Sequence, residues 1–122
     1  MLAYVGSLTA ETNPNLPKFA DAAQRGKALF EDKADCAGCH PSTYFTDKRT
    51  HNVGVTSPTE PNARYDTPSL VEAYRTAPYF HDGRAATMRD ALTKHDTEGR
   101  HGNLSKLSPS EIDDLIAYVL SL

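Results

Sequence analysis

Several features are missing from this 122-residue chain, and each absence excludes something. No apolar run approaches the roughly 18 residues that a membrane-crossing helix needs. There is no excess of basic charge. Thirteen Lys and Arg against 16 Asp and Glu leave a formal charge of -3, so no cationic surface offers itself to nucleic acid or anionic lipid. No segment alternates apolar and polar residues over a strand's length, which argues against a sheet. The first residues contain neither the basic segment nor the apolar stretch of about 7 to 15 residues of a secretory signal. The length is that of one domain, too short for a multi-domain enzyme. With 8 Pro and 7 Gly, much of it is loop that buries little, so a small core needs something else at its centre.

Only two cysteines are present, and they stand in the run Cys36-Ala37-Gly38-Cys39-His40. A C-x-x-C-H run reads as covalent attachment of a c-type haem. On a helical turn, residues three apart share a face, so both thiols reach the two vinyl groups of one porphyrin. The next residue, His40, then offers its imidazole to the iron as the proximal ligand. Three other readings compete. A redox dithiol calls for a strand before the motif and a helix after it, but a helix-like stretch precedes this one and Pro41 follows directly. Zinc would need two further ligands, and His51, His81, His95 and His101 are scattered singly. A disulfide between Cys36 and Cys39 would close a very small loop and gain little.

The pattern along the chain is helical. From Lys18 to Asp32, apolar Phe19, Ala22, Ala23, Ala28, Leu29 and Phe30 recur among charges, with Gly26 retained inside the helix for close packing. Ser108-Pro109-Ser110-Glu111 is a capping box with proline at the first helical position. After it, Ile112, Leu115, Ile116, Val119 and Leu120 form an apolar stripe. In c-type cytochromes the first and last helices cross at a glycine and aromatics, a contact that Gly26, Phe30 and Tyr118 are placed to supply. Between these helices, Pro41 to Pro68 has little periodicity and carries Pro58, Pro61 and Pro68, as a loop around a porphyrin edge would. A short helix is expected from Thr67 to Tyr74, capped by Thr67 and opened by Pro68. A second capping box, Thr87 to Asp90, starts another helix from Met88 to about Lys94 or His95. The expected fold is therefore all-α, a small cytochrome c-like arrangement of helices and long loops wrapped around one covalent haem. Leu2-Ala3-Tyr4-Val5-Gly6-Ser7-Leu8 also echoes Ile116-Ala117-Tyr118-Val119-Leu120-Ser121-Leu122. The echo suggests that residues 1–15 are an N-terminal extension, the tail of a preceding domain, and that residues 16–122 are the haem domain.

Further motifs carry a family resemblance. Phe45-Thr46-Asp47, His51-Asn52-Val53-Gly54, Asp66-Thr67-Pro68-Ser69-Leu70, Thr76-Ala77-Pro78-Tyr79-Phe80-His81-Asp82-Gly83, then Ala86-Thr87 and the terminal helix resemble the C-terminal haem domain of bacterial di-haem cytochrome c peroxidases and of MauG-type enzymes. The likeness runs from about Phe19 to Leu122. It implies a division of labour in which an N-terminal haem domain reacts with peroxide and the C-terminal domain stores or relays an electron on a six-coordinate haem. With a single C-x-x-C-H, this sequence matches the second kind of domain.

The resemblance also bears on the sixth ligand. In the peroxidases a methionine, and in MauG-type enzymes a tyrosine, follows the histidine of the Tyr-Phe-His-Asp-Gly block at a fixed spacing; here that position holds His95. Met88, Leu92 and His95 share a helical face, so Met88 is the competing donor. The expected pair is His40 with His95. His81, with Arg84 and Arg75 nearby, is placed to hydrogen-bond a propionate. His51 has a similar place, and His101, between glycines, is expected to be solvated, a spare ligand only if the helix register slips. Phe45, Tyr65, Tyr79 and Phe80 are expected to line the ring.

These readings converge on single-electron transfer through one covalent, bis-histidine haem c. The alternative is the electron-feeding half of a peroxidase or MauG-type oxidase, active only with a partner haem domain. The expected partners are other haem domains or small soluble electron carriers within a larger multi-domain chain. Haem attachment takes place outside the cytoplasm, which points to a bacterial periplasm.

Overall fold

The computed structural model describes residues 2–57, 59–61 and 63–122; the expected loop proline Pro58 lies outside the described residues. Helix α1 spans Leu2–Gly6, α2 Ala20–Glu31, α3 Met88–Leu92 and α4 Pro109–Val119. Short 3-10 turns sit at Leu16–Lys18, Cys36–Gly38, Ala73–Arg75 and Leu104–Lys106. No helix among the described residues is long and apolar enough to cross a membrane.

The crossing of α2 and α4 organises the core. Helix α2 buries Ala23, Gly26 and Phe30, and α4 buries Leu115 and Val119. The Phe30 ring meets Tyr118 edge-on, 5.1 Å between centroids. Gly26 lets the backbones touch: a β-carbon there would lie 2.8 Å from the Tyr118 β-carbon and closer still to the Asp114 carbonyl. Arg25 grips Asp114 through two hydrogen bonds of 2.8 and 2.6 Å, and Lys33 pairs with Glu111 at 2.6 Å. Exposed pairs of this kind contribute about 0–1 kcal/mol each, so burial rather than charge holds the crossing. The start of α4 follows its sequence signal. The Ser108 hydroxyl accepts the Glu111 amide while the Glu111 carboxylate accepts the Ser108 amide at 2.7 Å.

Three expectations need correction. The domain is not purely α-helical, because the long loop returns on itself in a two-stranded antiparallel ladder of β1 (Thr50–His51) and β2 (Tyr65–Asp66). Two residue pairs are too few to show as alternation. The helix expected over residues 67–74 is reduced to the turn Ala73–Arg75, because Thr67 spends both its amide and its hydroxyl on the Arg49 carbonyl. It extends the ladder instead of capping a helix. Helix α3 starts where expected, the Thr87 hydroxyl accepting the Asp90 amide, but stops at Leu92, short of Lys94. Tyr4 and Val5 in α1, and Leu8 beyond it, are exposed. Yet the Glu11 amide donates to Glu72 and the Asn13 side chain donates to the Leu120 carbonyl at 2.8 Å, so the chain is fastened to the domain from Glu11 onward. The sequence echo extends to local structure. Ser7 turns its amide and hydroxyl onto the Tyr4 carbonyl (3.0 and 2.6 Å), as Ser121 does onto Tyr118 (2.9 and 2.6 Å).

Candidate functional site

An apolar cavity of about 550 Å³ lies inside the fold, and Cys36, Cys39 and His40 all face it. Asp35 takes a left-handed conformation (φ 55°) that ends the α2 connection and starts the 3-10 turn Cys36–Gly38. The Cys39 and His40 amides then both donate to the Cys36 carbonyl, at 3.2 and 2.9 Å. This tight turn brings two thiols and one imidazole to a common wall. The His40 Nδ1 lies 2.8 Å from the Phe45 carbonyl. A carbonyl only accepts, so Nδ1 carries the proton and Nε2 keeps its lone pair, the tautomer a metal-ligating histidine requires. Burial lowers the pKa of His40, opposed by the Phe45 carbonyl, and favours the neutral ring.

The thiols are unlike those of a redox dithiol. Burial, with Asp35 and Cys39 adding to it, pushes Cys36 up to about 12; burial and then Asp47 and Asp35 also raise Cys39. Thiol exchange depends on the thiolate, which this setting suppresses. Both cysteines are free. Cys39, Asp47 and His51 do bring three donor atoms within 4.8 Å of one another, but a structural zinc site takes four ligands. Here the Asp47 carboxylate already holds the His51 ring at 2.7 Å. Burial would raise Asp47, but the hydrogen bonds from His51 and the Arg49 amide outweigh it and hold the carboxyl low.

The facing wall is built by α3 and by the loop after it. Helix α3 presents Met88, Ala91 and Leu92 to the cavity. His95 is not among the lining residues, because the face it would share with Met88 ends with the helix at Leu92. Its Nε2 is buried without a hydrogen-bond partner, the ring edge-on to Phe80 at 6.0 Å. His101 does line the cavity, next to Arg100, and its Nδ1 is likewise buried and unpartnered. Burial, then the nearby His40, lowers its pKa.

The ladder forms the cavity's rim, pairing His51 with Tyr65, both of which line it. His81 lines it too, stacked on Tyr65 at 3.9 Å between ring centroids. Its Nε2 stands 3.8 Å from Glu60 and 4.0 Å from Asp82. Arg84 and Arg75 are not on this wall. Arg84 is engaged by Asp82 and the Thr56 carbonyl, and Arg75 by Glu72 and Glu11. Tyr79 and Phe80 face the cavity as expected, whereas Phe45 contributes its carbonyl to His40. Arg100, which the sequence analysis does not single out, also lines the cavity, and its place beside His101 is the one signal that could have found it.

The cavity volume falls within the roughly 300–1,000 Å³ of small-molecule and cofactor sites. Its donors fit a haem: two thiols for thioether bonds, an imidazole held with its lone pair free, and apolar walls. This arrangement defines a c-type haem domain. The chain belongs to the cytochrome c family, whose family model matches residues 23–122. Among curated proteins it is 33% identical to the methylamine utilization protein MauG of Methylophilus methylotrophus, over 84% of this chain and 37% of that protein. It is 27% identical to a cytochrome-c peroxidase of Denitromonas iodatirespirans, over 82% of this chain and 40% of that one. The chain thus spans well under half the length of these relatives. Among solved structures, a chain of hydrazine synthase from Kuenenia stuttgartiensis, pressurized with xenon, superposes with a TM-score of 0.79 at 26% identity. That match covers 99% of this chain and 53% of the other.

Proposed function

We propose that the chain carries single electrons on one covalently bound, six-coordinate haem c, with thioethers at Cys36 and Cys39, His40 as one axial ligand and a second imidazole as the other. The observation that carries this reading is the His40 ring, lone pair on Nε2, on the same cavity wall as both thiols. The haem supplies a one-electron couple, which two nitrogen ligands tune to a lower potential than a thioether would. The protein's share is orientation and exclusion of water. The Phe45 carbonyl holds His40 in its tautomer, and Phe30, Leu115 and Val119 dry the interior. His81, at the rim on Tyr65, is the hydrogen-bond donor for a propionate. Partners are a second haem domain or a small soluble carrier docking weakly at the rim. The reading includes a location outside the cytoplasm, in a bacterial periplasm, where covalent haem attachment takes place.

A second reading rests on the relatives. The chain matches about a third to two fifths of the MauG and peroxidase relatives' length, which fits the electron-feeding half of such an enzyme. One preparation tests both. The haem-bearing chain is titrated with reductant, and the ferrous protein is then mixed with hydrogen peroxide. One reversible electron per chain and no peroxide-dependent reoxidation support the carrier. Rapid reoxidation by peroxide favours the enzyme reading, and the lack of a reversible couple overturns both.

A further inference from the structure

Within the haem reading proposed above, we infer that His101, rather than His95, is the second axial ligand. For His95 to face the ring, α3 would have to run one more turn past Leu92. Instead the Thr93 amide closes the last regular turn onto the Arg89 carbonyl at 2.9 Å, and the Thr93 backbone then leaves the helical region (φ -123°, ψ -62°). The His95 amide then reaches the Asp90 carbonyl at 3.1 Å, a wider turn that carries its ring off the Met88–Leu92 face. The position is matched in sequence but displaced in space.

His101 meets three conditions that His95 does not meet together. It lines the same cavity as His40, on the loop that faces it after α3. Its ring carries a buried nitrogen with no hydrogen-bond partner, a state that folded proteins avoid unless something else occupies the ring. And its backbone is fastened on both sides. The Asp96 Oδ1 accepts the Arg100 and His101 amides at 2.9 and 3.1 Å, while the Asn103 amide donates to the Ala34 carbonyl at 2.9 Å. Gly102, at φ +79°, passes so close to this segment that a β-carbon would lie 3.9 Å from the Cys36 sulfur. The strap therefore holds the His101 imidazole in the cavity, with its backbone packed beside Ala34 and Cys36. Met88 also faces the cavity, but a thioether needs no polar partner, and its burial among Leu92, Leu104 and Leu115 is that of a core side chain.

The test uses the haem-bearing chain and the ferric absorption and electron-spin spectra of wild type, His101→Ala, His95→Ala and Met88→Leu. Wild type is expected to be low-spin with two imidazoles. His101→Ala loses that signal to a high-spin form and regains it with added free imidazole, while His95→Ala and Met88→Leu keep the wild-type spectrum. His101→Met, which keeps a ligand in place, exchanges the imidazole signature for a thioether band and raises the midpoint potential. The inference falls if His101→Ala stays low-spin while His95→Ala turns high-spin, or if wild type shows a thioether band that Met88→Leu removes. A wild-type chain that yields its haem to acid acetone, or that is high-spin from the outset, overturns the proposed function itself. The two failures are thereby separated.

Discussion

Gly102 and Ala34 approach so closely that a β-carbon on the glycine would stand 2.8 Å from the Ala34 carbonyl oxygen, which already accepts the Asn103 amide. Gly102 also holds φ +79°, where a side chain costs about 1–2 kcal/mol by conformation alone. Gly102→Ala is therefore expected to lower stability by at least that much. A urea titration of the haem-bearing chain measures it, and the ferric spectrum of the same variant should gain a high-spin fraction as the His101 strap is displaced.

The α2–α4 crossing makes a contrasting prediction. At Gly26 a β-carbon meets the Asp114 backbone and the Tyr118 β-carbon, neither of which is a flexible side-chain end. Gly26→Ala should cost about 1–3 kcal/mol as an overpacked contact. Gly6, in α1, has nothing within 4 Å of the same position. Gly6→Ala should be neutral or better, since alanine favours helix by about 0.5–1 kcal/mol over glycine. Equal thermal shifts for the two variants would contradict the close crossing.

The acid limb of stability should depend on Asp82. The Arg84 side chain, hydrogen-bonded to it, holds this carboxyl at about 2 against burial, below its usual 3.8. A carboxyl lowered in the folded state contributes stability that is complete above 3.8 and is lost as the pH falls toward 2. The stability difference between wild type and Asp82→Asn should be constant near neutrality and shrink across that interval. Denaturant midpoints taken at several pH values follow it directly.

The Ser108 capping box is expected to act locally. Ser108→Ala removes the acceptor of the Glu111 amide and should cost about 0.5–2 kcal/mol in thermal or urea unfolding. The ferric spectrum should stay unchanged, because α4 meets the cavity through Leu115 and Val119, well past its first turn.

Local chemistry was legible in the sequence, and long-range returns were not. Cys36, Cys39 and His40 declare themselves by adjacency, and Ser108 to Glu111 by a four-residue rule, so both are read without knowing the fold. Gly26 was readable because a helix-interior glycine needs a packing reason. His95 was placed by the family's spacing and by the helical face of Met88 and Leu92, and that face ends at Leu92, where the Thr93 backbone leaves the helical region. No periodicity marks such a stop. The β1–β2 ladder was invisible for a similar reason: its two residue pairs are set by the loop's return, with the Arg49 carbonyl bound by Thr67, rather than by any run of strand-forming residues. His101 looked solvated because glycine flanks it, yet Gly102 is what lets its loop press against Ala34.

The Asn13 side chain bound to the Leu120 carbonyl has a topological consequence. The strand of chain that enters the domain and the one that leaves it share a corner, a hydrogen bond apart. The fold is thus nearly a closed ring, and a permuted protein joining residue 122 to residue 13 through a short linker, with new ends in the exposed turn near Pro61, would keep the α2–α4 crossing intact.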